Sequence, residues 1–451
     1  MKAWSILILL ILMCSSSSIL TSAIPSQGIN DSDYFGTYDS HVPIIITTNE
    51  DFIIQGWNGT GTLEDPFRIR ELNITSDLDC ISVANTTAHF TIERCLLTSE
   101  TDDKYQLYPE NTAVGVSLNN VTNCRIEGCY IIWKNTGISA NNCSTCVFDL
   151  NVIMENWNNG FLLVEAESTN ITNNLVLDNG ANGIYIIESP FSNVYQNTFQ
   201  GNFLYGLITV TSGYSSIKDN EFYDNDCGLV TLYSDYIEIV NNVIKGGTGG
   251  LSLTQEQYPL IVNNSIENIE GYAISLEIVN SGSFLKNFIE YNQDGIIIRK
   301  TTENNFSENT IHLNDRGITA FEASSCIFTN NTFSNIEYSI WLDQDSTDNA
   351  FYWNVLSGDW DYLAKDDGLR NMWDDNVSLG NKWGNYQGFG VYIISGSAGS
   401  VDRYPRGFRD VFVPNIIIQA LFLTGISTIV ILGVYYLFSK KSTFRQVVER
   451  F

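Results

Sequence analysis

This 451-residue chain is short of positive charge, of histidine and of methionine. It carries 23 Lys and Arg against 51 Asp and Glu, a formal net charge of -28. That imbalance argues against nucleic acid and anionic lipid surfaces as partners. It also disfavours an anionic polysaccharide unless cations bridge the two. Only three scattered histidines (His41, His89, His312) and four methionines are present. Copper handling favours clustered His, Met and Cys, so copper is disfavoured. Catalytic signatures are missing too. There is no phosphate-cradling loop, zinc-ligand spacing or nucleophile motif, and neither Gly-His-Gly nor Arg-Ile-Lys occurs. No sustained helical pattern interrupts the middle of the chain.

What is present is a repeat. Asparagine returns at Asn151, Asn174, Asn197, Asn220, Asn242, Asn264, Asn287, Asn309, Asn331 and Asn354, at gaps of 22 or 23 residues. An apolar residue stands three positions before each, from Phe148 to Phe351. Another stands two positions after each, from Ile153 to Leu356. A parallel series runs through Gly137, Gly160, Gly183, Gly206, Gly228, Gly250, Ala273, Gly295, Gly317 and Ser339, each followed by an apolar residue. Self-similarity at this period means stacked structural units. Alternations such as Ile184 and Ile186 read as short strands. Twenty-two residues trace roughly 70 Å at strand rise, which suits one turn of a three-sided coil. The fold expected is all-β, a parallel β-helix of about a dozen turns, roughly 55–60 Å long at strand spacing. In it the asparagines form a ladder of amide hydrogen bonds. The glycines are expected where the chain turns and needs backbone freedom.

The pattern divides the chain. Residues 1–23 read as a secretory signal, with Lys2, an apolar core and a small-residue cleavage site. Residues 24–40 read as a flexible lead-in and 41–75 as an N-terminal cap. The β-helix follows over 76–356, with an insertion at Glu100 to Glu110. Residues 357–410 read as a C-terminal cap. Val411 to Phe438 is apolar and long enough to span a bilayer. The Lys440, Lys441, Arg445 and Arg450 that follow place the tail, 439–451, in the cytoplasm and the coil outside. The expectation is a single-pass cell-surface protein.

Several residues stand out. Cys95 and Cys129 occupy the asparagine slot in successive turns, and Cys124 and Cys146 are one turn apart. Two readings stand: disulfides Cys95–Cys129 and Cys124–Cys146, which stacked neighbours in a secreted chain permit, or small apolar fillers of tight interior slots. Asn30, Asn58 and Asn376 head Asn-x-Ser/Thr triplets in expected loops and are candidate glycosylation sites. Trp360, Trp373 and Trp383 lie among Asp, Asn and Gly after the repeat ends. They either cover the last turn or form an aromatic platform for sugars. Paired carboxylates occur at Asp102-Asp103, Asp366-Asp367 and Asp374-Asp375, all off the middle of the coil. Arg68-Ile69-Arg70 and Arg299-Lys300 read as solvated surface charge, and the histidines as unpartnered.

The exterior portion, about 41–408, resembles a family of secreted right-handed parallel β-helix proteins. These carry the carbohydrate-binding and sugar-hydrolase type of repeat and include the periplasmic copper-binding NosD type. The similarity lies in the opening Pro43-Ile44-Ile45-Ile46 through Gly56-Trp57, Gly59, Gly61-Thr62 and Asp65-Pro66-Phe67, in the repeat, as in Asn309-Thr310-Ile311 to Arg316-Gly317-Ile318, and in Asn371-x-Trp373-Asp374 to Gly380-Asn381-x-Trp383-x-x-Tyr386, then Asp402-x-Tyr404-Pro405. Members often place acidic residues between that Tyr and the final motif. Here Gln387 to Val401 has none, which argues against a metal site there. The resemblance implies a binding or envelope interaction module facing glycans or other envelope proteins. The alternatives are a carbohydrate-active enzyme (lyase, hydrolase or epimerase) and a NosD-like accessory to an envelope metalloenzyme. No catalytic, cofactor or metal residue is assigned, and calcium remains compatible.

Overall fold

The apolar alternations fold as three short strands per turn. The computed structural model describes residues 38–100, 112–358 and 362–407. Their strands form three parallel sheets of 15, 14 and 13 strands, here A, B and C. A turn runs through C, then A, then B, as in Glu238–Val240, Val243–Lys245 and Gly249–Thr254. Each strand pairs in register with its copy one turn on, such as Ile239 with Ile261 and Ile244 with Ile266. The result is a right-handed coil of about thirteen turns. All thirty apolar positions marked by the repeat are buried, from Ile138, Phe148 and Ile153 to Ile340, Phe351 and Leu356. At about 1.5–3 kcal/mol for each buried large side chain, these columns dominate the stability.

The asparagine ladder stands at the corner between sheets C and A. Each amide nitrogen donates to the next amide oxygen, at 2.9 Å for Asn174 to Asn197 and 3.0 Å for Asn220 to Asn242. The same oxygen accepts the backbone N–H of the preceding rung, as Asn242 Oδ1 does from Asn220 at 2.9 Å. A second ladder, not anticipated, fills the corner between A and B: Asn156, Asn179, Asn202 and Asn225. A third, of serines, joins Ser189, Ser212 and Ser234 at the corner between B and C. It ends on Glu256, whose carboxyl accepts the Ser234 N–H at 2.9 Å. Glu256 is fully buried, and that burial pushes its pKa up to about 8.

The glycine column has a different cause from the one expected. Backbone freedom is not required there, since none of these glycines has positive φ. Close approach is. A Cβ at Gly183 would lie 2.4 Å from the Gly206 carbonyl oxygen and 2.9 Å from Phe199. The left-handed corner positions are held instead by residues such as Asn173, Asp219 and Tyr236.

Both ends are plugged. Asp39–Ser40 pairs with Leu72–Asn73 and Ile44–Ile46 with Ile81–Val83, so the coil starts before residue 76 and within the expected lead-in. Helix α1 (Asn49–Ile54) lays Phe52 flat on Phe67, ring centroids 4.7 Å apart. At the other end Ala364–Asp366 and Lys382–Trp383 continue sheets B and A. The column Phe284, Phe306, Phe328 and Phe351 stacks at 4.5–4.7 Å and passes to Trp373 at 4.4 Å. Asn381 receives the last amide rung from Asn354 at 3.0 Å. Its own N–H then donates to the buried carboxylate of Asp402 at 2.7 Å.

The eight cysteines among the described residues are buried free thiols. Cys95 and Cys129 do share one slot in successive turns, flanked by the pairing of Leu96 with Tyr130, as do Cys124 and Cys146 beside Arg125 and Val147. Their sulfurs contact each other and also backbone carbonyls, Cys95 to Glu93 at 3.4 Å and Cys129 to Glu127 at 3.5 Å. Cys146 contacts both Cys124 and Cys143, so the second pair is not isolated. The small-filler reading fits this packing. The signal 1–23, the span Val411 to Phe438, the tail and residues 101–111 lie outside the described residues. Among those described, no helix is long and apolar enough to cross a membrane.

Candidate functional site

Parallel, in-register stacking turns a sequence separation of 22 residues into direct contact. On the outer face of sheet B it gathers groups that the linear sequence keeps apart. Asp294 lies beside Arg316, which lies beside Tyr338. One column over run Ile297, Thr319, Trp341 and Lys365, and Arg299 pairs with Phe321. The strands are held by inward Ile296, Ile318 and Ile340, so the outward chains project from a rigid base.

The guanidinium of Arg316 grips Asp294 with two contacts, Nε to Oδ1 at 2.6 Å and Nη2 to Oδ2 at 2.8 Å. Burial raises the Asp294 pKa, and Arg316 opposes that rise. Tyr338 is buried and its hydroxyl meets Thr319 Oγ1 at 3.0 Å. Burial raises its pKa as well. Trp341 is half-buried, with Phe321 edge-on at 5.5 Å and the Lys365 ammonium 5.5 Å from its ring. Lys365 also bonds Asp367 at 2.6 Å, and this lowers the Asp367 pKa to about 2. Four turns at strand spacing make a strip about 15 Å long. Further back on the same face lies an apolar patch of Ile208, Cys227 and Val230, flanked by Tyr185 and Tyr205.

The residues singled out in the sequence fall elsewhere. Trp373 and Trp383 are buried, so they are no platform for sugars. Each donates its indole N–H inward, Trp373 to Asp366 at 3.0 Å and Trp383 to Asp402 at 2.9 Å. They end the core column, and the cap reading holds. Trp360 and Asn30 lie outside the described residues. Asn58 and Asn376 are exposed. Asp366 is buried among four donors and Asp374 is held by Arg403, so these two are structural, whereas Asp367 lies on the strip beside Lys365. Arg68 pairs with Asp65 at 3.1 Å. His312 does have a partner, Glu290, one turn back on sheet A at 3.0 Å. Burial lowers its pKa.

Asp294, Arg316, Tyr338 and Trp341 were missed because a search for neighbouring charged residues cannot see stacked turns. The signal was available. Tyr205, Cys227, Tyr272, Asp294, Arg316 and Tyr338 each immediately precede a member of the glycine series.

An aromatic row also marks the corner between B and C. Phe191, Tyr214, Tyr236 and Tyr258 stack at 4.8–5.4 Å and are roughly half exposed. Their faces cover one another and only edges meet solvent, whereas stacking on a sugar needs an open face.

No group of three or more His, Cys, Asp or Glu among the described residues is placed to hold a metal. A search of curated proteins returns no match. Two family models do match. One describes a right-handed β-helix region and covers residues 208–356; the other describes a periplasmic copper-binding protein, NosD, and covers 72–248. Solved structures resemble this chain at low identity. A periplasmic alginate epimerase, AlgG, is 12% identical over 82% of this chain and 84% of its own, with a TM-score of 0.46. The A-module of a mannuronan C-5 epimerase from Azotobacter vinelandii is 13% identical over 68% and 89%, at 0.45. PfbA, a surface adhesin of Streptococcus pneumoniae, is 9% identical over 63% and 84%, at 0.42. The two family models run on in one register from residue 72 to residue 356 and the strands close into three parallel sheets, so this chain belongs to the right-handed β-helix repeat family.

Proposed function

We propose that the protein is an envelope-exposed, membrane-anchored module that binds glycans along the outer face of sheet B. The observation that carries this reading is Trp341. It is a part-buried indole on a rigid strip, with the Lys365 ammonium over one side of its ring and the Asp294–Arg316 pair on the same face. Sugars present C–H faces that stack on aromatic rings and hydroxyls that bond to planar charged groups. A strip of this composition offers both. The similarity to the NosD model supports an envelope location, as do the expected signal and span. The test is a glycan array probed with the detergent-solubilised full chain, beside Trp341→Ala and Tyr258→Ala. Binding lost in the first and kept in the second is the expected result. Equal binding by all three would sink it.

A carbohydrate-active enzyme is the second reading. It is favoured by Asp294 and Tyr338, two groups with raised pKa values on either side of one guanidinium. Product detection on bound glycans separates the two readings. New reducing ends, unsaturated ends or epimerised units would select the enzyme.

A further inference from the structure

The C-terminal end of the coil is unlike the rest of the surface. A two-stranded antiparallel ribbon, Tyr392–Ile393 with Val401–Asp402, closes that end. Its inner side is set: Tyr392 stacks on Trp383 at 3.9 Å, and Ile394 is buried. Alternation along the strand therefore turns Val391 and Ile393 the other way. They are 48% and 74% exposed, and Phe389 two residues earlier is 89% exposed. Phe389 sits between Gly388 and Gly390, both in left-handed conformation. Tyr386 pins the tip by donating its hydroxyl to the Gly390 carbonyl at 2.6 Å. Three large apolar side chains are thus held out in water on a braced lip.

Cations and carboxylates are mixed at the same place, where Arg403 is held by Asp374 and Arg406 is exposed. From Leu379 to Asp410 the chain carries Lys382, Arg403, Arg406 and Arg409 against Asp402, which is buried, and Asp410. The whole chain has a net charge of -28. Arg406 is exposed and lies beside Lys382, while its carbonyl accepts the Trp383 N–H at 3.0 Å. Arg406 therefore lies next along sheet A from Lys382, and Ser395 of the ribbon lies next along sheet B from Lys365. The apolar run beginning at Val411 follows Arg406 by five residues, which reach at most about 17 Å when fully extended.

We infer that this lip, Phe389, Val391 and Ile393 with Lys382 and Arg406 beside it, docks into the headgroup layer of an anionic lipid bilayer. The inference rests on the reading of residues 411–438 as a membrane span. A tether that short keeps this end of the coil within reach of the bilayer surface. Exposed apolar side chains on the same end of the coil as an exposed arginine are a composition that binds there. The lip makes the anchor two-point, a span plus a surface contact, and so limits the tilt of the coil on its tether. The acidic remainder of the coil is repelled by the same surface.

The test places a polarity-sensitive fluorophore on Phe389→Cys or Ile393→Cys in the full chain, with Tyr258→Cys as the mid-coil control. The described native cysteines are buried, and the unsubstituted protein reports any background labelling. The protein is reconstituted into phosphatidylcholine vesicles with and without phosphatidylglycerol, doped with lipids bearing an acyl-chain nitroxide. The expected result is severalfold stronger quenching at 389 and 393 than at 258, reduced without phosphatidylglycerol. Protein retained through an alkaline wash but quenched equally at all three positions overturns the lip and leaves the span standing. Protein released by that wash overturns both.

Discussion

The corner between sheets C and A holds thiols in the first turns and amides in the rest. Cys95 and Cys129 fill a slot that becomes Asn151 and then asparagine through Asn381. The thiols reach carbonyls at 3.4–4.0 Å and each other, without the repeated amide-to-amide bonds of the later turns. Each amide ties three turns together. Asn242 donates to Ile217 one turn back at 2.9 Å and to Asn264 one turn on at 3.1 Å, and accepts twice from Asn220. The slot itself demands only a small group. What asparagine adds is cooperativity along the axis, and the N-terminal turns do without it.

The largest effect expected is at an amide rung. Asn242→Leu keeps the volume but strips the Asn220 backbone N–H and amide of an acceptor, and Ile217 of a donor. At 1–3 kcal/mol for each buried unpaired group, the total is about 3–5 kcal/mol after partial relaxation. Denaturant unfolding measures it. A loss below about 1 kcal/mol would mean the rungs act as fillers, like the thiols.

Next comes Glu256, where a ladder ends on an ionisable group. Its ordinary value is 4.5, and burial pushes it to about 8. Between those values the unfolded chain has released the proton while the folded chain still holds it. Stability is therefore full below about pH 4.5, falls as pH rises toward 8, and levels off above it. The total is roughly 4–5 kcal/mol. Glu256→Gln should flatten this part of the pH profile. An unchanged slope would assign the proton to another group.

The two smaller effects concern the thiol turns. Peptide mapping without reduction should find Cys95 and Cys129 unbonded and resistant to alkylation until the protein unfolds. A recovered Cys95–Cys129 crosslink would show that those turns replace the amide lock with a covalent one. Cys129→Ala should cost only about 1–2 kcal/mol, the price of a small cavity. A loss as large as that of Asn242→Leu would erase the contrast between the two regions.

Most of the fold was legible because buried positions repeat. Phe148, Ile153 and Asn151 recur in register, and a periodic constraint shows in a single sequence. The glycine column was seen but its cause was not, since the clash of a Cβ with the Gly206 carbonyl belongs to the stacked turn rather than to the residue's own backbone. The second ladder escaped because Asn156 to Asn225 and Asn292 to Asn335 are interrupted by Gly247 and Ile269. The candidate site was the least legible part. Outward residues are under no periodic constraint, so Asp294 and Trp341 differ from their counterparts one turn away. Trp373 and Trp383 misled because aromatic residues amid Asp and Gly look exposed, yet those Asp residues accept the indole N–H groups.

The amide ladder also has a direction. Every rung offers its hydrogen toward the C-terminus, so the series resembles a sentence that can always take another word. Asp402 is its full stop, because its carboxyl accepts the Asn381 backbone N–H and no further asparagine follows. Without it, that N–H would be left in the last turn with no acceptor. A coil built of identical steps needs such a terminator to remain a particle of fixed length instead of the first unit of a fibre.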